Sequence, residues 1–257
     1  MHQVRLFFIA LQFFTRLPIP AWVGFDAAWL QHASRYFPLV GLVVAGAASA
    51  VYAAAACLFV PLVAAVLSTA AGIYLTGAFH EDGFADTCDG FGGGMTRERV
   101  MDIMKDSRIG TYGAVGMGLI VALKCALLAS MPFAGAIAAL FVAHPLSRLA
   151  AVSLIWRLEY ARSEGKAKPM AQEMTSLEFG IASACALLPA AIAGALGFAS
   201  WLAIGAGVLG AALAALWLGA KFTRRIGGYT GDCLGAVQQV SEVVIYLALA
   251  AALRPLV

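Results

Sequence analysis

Seven apolar runs, each about 20 residues long and separated by short turns or polar loops, leave this chain few ways to fold. They are read as Phe37 to about Leu58, Leu62 to Phe79, Ile109 to Ser130, Phe133 to Trp156, Phe179 to Phe198, Trp201 to Ala220 and about Gly235 to Leu253. Inside a bilayer every backbone polar group must be satisfied within its own segment, so such runs become helices. With 62% hydrophobic residues, mean hydropathy +0.86, and 17 basic and 14 acidic side chains in 257 residues, a soluble domain is excluded. The expected fold is an all-α polytopic membrane bundle of about seven transmembrane helices, a single catalytic domain over residues 1–257. Val4 to Phe14 is too short to span and is read as an interfacial or re-entrant helix ending at Pro18 and Pro20. Arg5 ahead of Leu6 to Phe14 imitates a signal peptide, but no small-residue cleavage site follows and the segment is read as retained. The five cysteines form no C-x-x-C pair, which argues against a zinc site or a disulfide framework.

Charge placement orients the bundle. Arg16, Arg35, Arg97, Arg99, Lys105, Arg108, Arg157, Arg162, Lys166, Lys168, Lys221, Arg224 and Arg225 all fall in the connector before the first span or in the loops after the second, fourth and sixth. The three opposite turns hold no lysine or arginine. That bias places the long polar loops, and any active site they build, in the cytoplasm.

The densest acidic stretch is His80 to Gly90, HEDGFADTCDG. On a helix Asp82, Asp86 and Asp89 fall within an arc of roughly 60°, and Glu81 points to its side as a fourth candidate ligand. Like charges on one face repel unless a cation sits among them, and an oxygen-only donor set suits magnesium, calcium or manganese. A solvated helix face would carry lysines and glutamates between the acids, whereas here Gly83, Phe84, Ala85, Thr87 and Cys88 intervene. The glycines Gly90, Gly92, Gly93 and Gly94 are expected to break this helix.

A second constellation lies in Gly227 to Glu242, GGYTGDCLGAVQQVSE, where Asp232, Gly235, Gln239 and Glu242 share a helical arc of about 80°. Glu242 lies within an apolar run, where an ionisable group is a functional hypothesis by default; simple helix capping by Asp232 is the bland alternative. Lys105, Asp106 and Arg108 precede Gly110 and Gly113 at a span entrance, a setting that suits a phosphate, although positive-inside anchoring explains the two cations equally well. Lys221, Arg224 and Arg225 form a second basic cluster, which topology alone could also explain, and Arg148 sits inside the fourth span beside His144, where it must be paired or face water. Carboxylates, a divalent metal and surrounding cations at a membrane surface suit phosphoryl or phosphodiester transfer.

Five blocks in order, FFTRLPIP (Phe13 to Pro20), FPLVG (Phe37 to Gly41), HEDGFADTCDGFGG (His80 to Gly93), MKDSRIGTYG (Met104 to Gly113) and GGYTGDCLGAVQQVSE, together resemble the cobalamin synthase family. The resemblance implies an adenosylcobinamide-GDP ribazoletransferase. In that reaction a hydroxyl of α-ribazole or its 5′-phosphate attacks the cobinamide-side phosphate of adenosylcobinamide-GDP, GMP leaves, and Mg2+ is required. It further implies Asp82, Asp86, Asp89 and Glu81 at the metal, with one of the three aspartates or Asp232 as the base. Lys105, Asp106, Arg108, Arg148, Arg224, Arg225, Gln239 and Glu242 are candidate substrate contacts. The expected partners are the two small-molecule substrates and membrane lipid, with no nucleic acid; a homo-oligomer or association with other nucleotide-loop enzymes is a further candidate. The expected location is the bacterial inner membrane. Asp82, Gly83, Asp86 and Asp89 also resemble the core of the CDP-alcohol phosphotransferases, although the D-G-x-x-A-R and G-x-x-x-D-x-x-x-D elements are lacking. A transferase of that class is the first alternative and a cation transporter the second; the acids' position at one membrane face argues against a transporter.

Overall fold

A computed structural model describes residues 1–24, 26–162 and 173–253; Lys166 and Lys168 lie outside the described residues. The chain is all-α. Its helices are α1 (His2–Phe14), α2 (Ala27–Ala33), α3 (Phe37–Ala56), α4 (Pro61–Thr76), α5 (Phe79–Gly93), α6 (Arg97–Ile103), α7 (Thr111–Ser130), α8 (Phe133–Arg157), α9 (Ser176–Ala195), α10 (Trp201–Ile226) and α11 (Gly231–Ala252). Among the described residues six segments are long and apolar enough to cross a membrane, and α4 joins them as a seventh when taken with α5, from which it is bent by 91°. Gly77 and Ala78 both adopt left-handed backbone (φ 65° and 60°), and two such residues in succession make the bend. Ala78 carries a Cβ in a region that costs about 1–2 kcal/mol, so the turn is held by its surroundings. Phe14 of α1 supplies part of that hold, stacking on His80 at 5.4 Å and packing edge-on against Phe79 and Phe37.

The acidic helix therefore turns off the axis of α4 and lies across its end. It runs unbroken through Gly90, Gly92 and Gly93 and stops at Gly94, contrary to the expectation that the glycine cluster would end it. Packing overrides propensity here: a Cβ on Gly90 would lie within 3.2 Å of the Val100 carbonyl of α6, and one on Gly92 within 3.0 Å of the Tyr112 ring.

Two further boundaries differ from expectation. Glu178 is not in a polar loop but in the first turn of α9, where it completes a capping box with Thr175. Helix α10 continues past Ala220 to Ile226, so Lys221, Arg224 and Arg225 sit on its last turns, where cations complement the negative end of the helix dipole. The next connection is consequently short, and Thr230 rather than Asp232 caps α11 by accepting from the Cys233 amide.

Small residues govern how α5 meets α11. A Cβ on Gly83 would lie 2.9 Å from Asp232 Cα, and one on Gly235 would lie 2.8 Å from the His80 carbonyl oxygen. The two backbones touch, and backbone cannot yield as a side chain can. Gly235→Val is expected to force the helices apart, destabilising the protein by about 1–3 kcal/mol and lowering turnover. A thermal melt at wild-type temperature with undiminished activity would show that the crossing tolerates separation.

Candidate functional site

The connection after α5, residues 158–162 after α8 and the connection after α10 meet at one end of the bundle. Arg97 donates to the Ala161 carbonyl at 3.3 Å and Arg225 to the Gly94 carbonyl at 2.5 Å. Tyr160 and Tyr229 form an isolated parallel bridge, with the Tyr229 amide donating to Glu159 at 3.0 Å and the Ala161 amide to Tyr229 at 2.8 Å. That bridge brings Arg162 beside the start of α11, where its guanidinium donates to Asp232 Oδ2 at 2.8 Å.

Through the glycine contact, Asp82 and Asp86 of α5 come to face Asp232 of α11. Asp86 is half-buried, and its carboxyl is pushed up to about 7, first by burial and then by the charges of Asp232 and Asp82, against the pull of Arg162. Asp82 is exposed at the rim. Asp89, the third member of the sequence triad, is engaged elsewhere: its two oxygens accept from the Gly110 amide at 2.7 Å and the Gly113 amide at 2.8 Å. The α7 N-terminus, a candidate phosphate cradle in the sequence, thus binds a carboxylate of the protein itself. Lys105 is exposed, and Asp106 and Arg108 pair with each other at 2.7 Å. That pairing holds the Asp106 carboxyl down at about 2.

Among the described residues no three His, Cys, Asp or Glu side chains converge as a finished metal site. The donor chemistry nonetheless fits a hard divalent cation: Asp82, Asp86 and Asp232 offer oxygen only, and their mutual repulsion is what a cation between them would relieve. In the sequence Arg162 reads only as a topology charge. Its partner lies 70 positions away, so no local spacing marks it.

Glu81, Arg148, Gln239 and Glu242 come together in a different place, a polar chamber enclosed by α3, α4, α5, α7, α8 and α11. Glu242 pairs with Lys124 at 3.0 Å and with His144 at 3.4 Å, and accepts from Gln238 at 2.5 Å. Gln239 donates to Glu81 at 2.9 Å, and Arg148 donates to the His144 carbonyl at 2.9 Å. Lys124 was missed in the sequence because a single charge barely alters the hydropathy of a 20-residue run; its presence inside a span was the available signal. Arg224 is exposed and lines an apolar groove between α8 and α10, away from the acids.

The family model described as cobalamin-5-phosphate synthase matches residues 6–250. Curated relatives named adenosylcobinamide-GDP ribazoletransferase include one from Leptothrix cholodnii, 47% identical over 96% of this chain and 95% of the relative. Another, from Ralstonia nicotianae, is 48% identical over 94% and 93%, and one from Shewanella frigidimarina is 44% identical over 98% and 96%. No solved structure gives a significant match. Sequence similarity over nearly the whole length of an all-α bundle places this chain in the cobalamin-5-phosphate synthase family.

Proposed function

We propose that this chain joins α-ribazole, or its 5′-phosphate, to adenosylcobinamide-GDP with release of GMP, the last assembly step of the cobalamin nucleotide loop. The observation that carries the reading is the end-to-end similarity to relatives bearing that name. The acidic site supports it chemically. A ribazole hydroxyl attacks the cobinamide-side phosphorus, a new P–O bond forms, the anhydride P–O bond breaks, and GMP departs with the electron pair. The hydroxyl proton passes to a carboxylate of the set, Asp86 or Asp232. Asp82, Asp86 and Asp232 would hold Mg2+, whereas Asp89 is taken up by the Gly110 and Gly113 amides and Glu81 by Gln239. When bound, the ion supplies charge neutralisation to the diphosphate and the departing phosphate. Lys105, Arg108 and Arg225 stand at the same end of the bundle to meet phosphate charge. The inner membrane, with this end in the cytoplasm, is the location that the distribution of basic residues supports.

The test is turnover of adenosylcobinamide-GDP with α-ribazole phosphate by protein in nanodiscs, with magnesium and then with EDTA. Magnesium-dependent GMP release alongside the corrinoid product is expected. Absence of product from folded, metal-loaded protein would redirect attention to CDP-linked donors.

Metal affinity should depend on pH with a definite sign. A carboxyl held near 7 carries its proton below that pH and must lose it to bind a cation, so affinity is expected to fall about tenfold per unit as pH drops below 7. Calorimetric titration of Mg2+ at pH 6 and pH 8 reads this directly. Equal affinities at the two values would remove Asp86 from the ligand set.

A further inference from the structure

The chamber beside the acidic site contains polar groups that no protein atom satisfies. Gln239 Oε1, Arg148 Nε and Glu81 Oε2 are buried atoms without a hydrogen-bond partner in the protein, and all three residues line the same cavity. Gln239 is 1% exposed and Arg148 3% exposed, so bulk solvent does not serve them. Leaving such groups bare costs about 1–3 kcal/mol each. The set comprises two acceptors and one donor. That is the complement of a water molecule, which gives two hydrogens and accepts at its oxygen.

Size and charge both select for water. The free volume is about 30 Å3. At about 10–15 Å3 per molecule this accommodates roughly two waters and no substrate. Lys124 and Arg148 balance Glu81 and Glu242, so the chamber is formally neutral and an added divalent cation would leave two uncompensated positive charges in a low-dielectric interior.

We propose that this chamber is a permanent water-binding site in which about two ordered molecules bridge Glu81, Gln239 and Arg148, and that Gln239 and Arg148 are thereby positioning residues for the acidic helix. Glu81 precedes Asp82 on α5. Successive helical residues differ by about 100°, so anchoring Glu81 on the chamber side fixes the rotation at which Asp82 and Asp86 meet Asp232. Gln239 supplies the direct part of the anchor by donating to Glu81, and water supplies the remainder by joining Glu81 to Arg148 on α8. Three helices, α5, α8 and α11, are registered to one another through this small wet volume.

The water claim stands apart from the proposed activity, whereas the positioning claim rests on Asp82 and Asp86 serving as metal ligands. An experimental structure of the wild-type protein in lipid, at a resolution that shows ordered water, tests the first claim. Density for water within hydrogen-bond distance of Gln239 Oε1 and Arg148 Nε is expected. A dry chamber with those atoms bonded directly to protein, or density for a metal ion there, overturns it. For the second claim, Gln239→Leu removes both the donor to Glu81 and the water acceptor. It is expected to weaken Mn2+ binding, read by electron paramagnetic resonance, about 10–100-fold, as loss of an outer-shell support does. Gln239→Asn, which keeps both the amide donor and the acceptor on a shorter arm, should recover part of that loss. Wild-type Mn2+ affinity in Gln239→Leu overturns the positioning role, whereas failure of the turnover test with the water density intact would refute only the proposed reaction.

Discussion

Asp86→Asn is expected to lower turnover about 1,000-fold, equivalent to about 4 kcal/mol of transition-state stabilisation, while raising the melting temperature of the metal-free protein. The two effects have one origin. The Asp86 carboxyl is half-buried beside Asp82 and Asp232, and its affinity for a proton is raised to about 7. In the unfolded chain the same carboxyl titrates near 4, so between about pH 4 and pH 7 the folded state holds a proton that the unfolded state releases. At pH 8 the ionised carboxylate is a burden on folding, and lowering the pH through 7 relieves it. Metal-free wild type should accordingly melt at higher temperature at pH 6 than at pH 8, with the difference much reduced in Asp86→Asn. An acid that harms the bare fold and is essential once metal is present is the pattern expected of a functional site. Thermal melts of both proteins at the two pH values, with single-turnover kinetics under saturating magnesium, provide the check. Full turnover in Asp86→Asn would remove the residue from the chemistry.

Lys124→Met should be among the most destabilising single changes in the spans. The Lys124 ammonium lies 3.0 Å from Glu242, both residues are at most 5% exposed, and the pair joins α7 to α11 inside the bundle. Removing one partner leaves an uncompensated buried carboxylate, at a cost of about 3–5 kcal/mol. Removing both should be far milder, since two apolar side chains of similar volume need no solvation. Lys124→Met combined with Glu242→Leu is expected to recover more than half of the loss. Denaturant titration in nanodiscs across the double-mutant cycle measures the coupling, and additive costs would show that the two charges are independently solvated.

What could be read in the sequence follows from what each signal reports. Hydropathy reports burial in lipid, and it located every span of the bundle. It misjudged the ends of α9 and α10 because Glu178 and the Arg224/Arg225 pair are polar residues that belong to helix termini for capping and dipole reasons. Helical periodicity reports which residues share a helical arc, and it set Asp82, Asp86 and Asp89 on one arc of α5. It cannot report what faces them. Asp89 meets two amides of α7, whereas Asp86 meets Asp232 of α11. The same limit hid Arg162, which reaches the site through the Tyr160–Tyr229 bridge, and Lys124, whose partner is Glu242 on another helix. Gly83 and Gly235 were visible as motif glycines; their purpose, backbone contact between the two acidic helices, required both helices in place.

The most direct test of the central claim, that α5 and α11 together form one carboxylate metal site for the transfer, is to locate Mn2+ in an experimental structure by its anomalous scattering. Manganese shares the oxygen preference of magnesium and can replace it at such sites. A single region of anomalous density between Asp82, Asp86 and Asp232, lost in Asp86→Asn, is the predicted result. Density confined to the exposed Asp106 or to the Glu242 chamber, or none at a manganese concentration that supports full turnover, would contradict it.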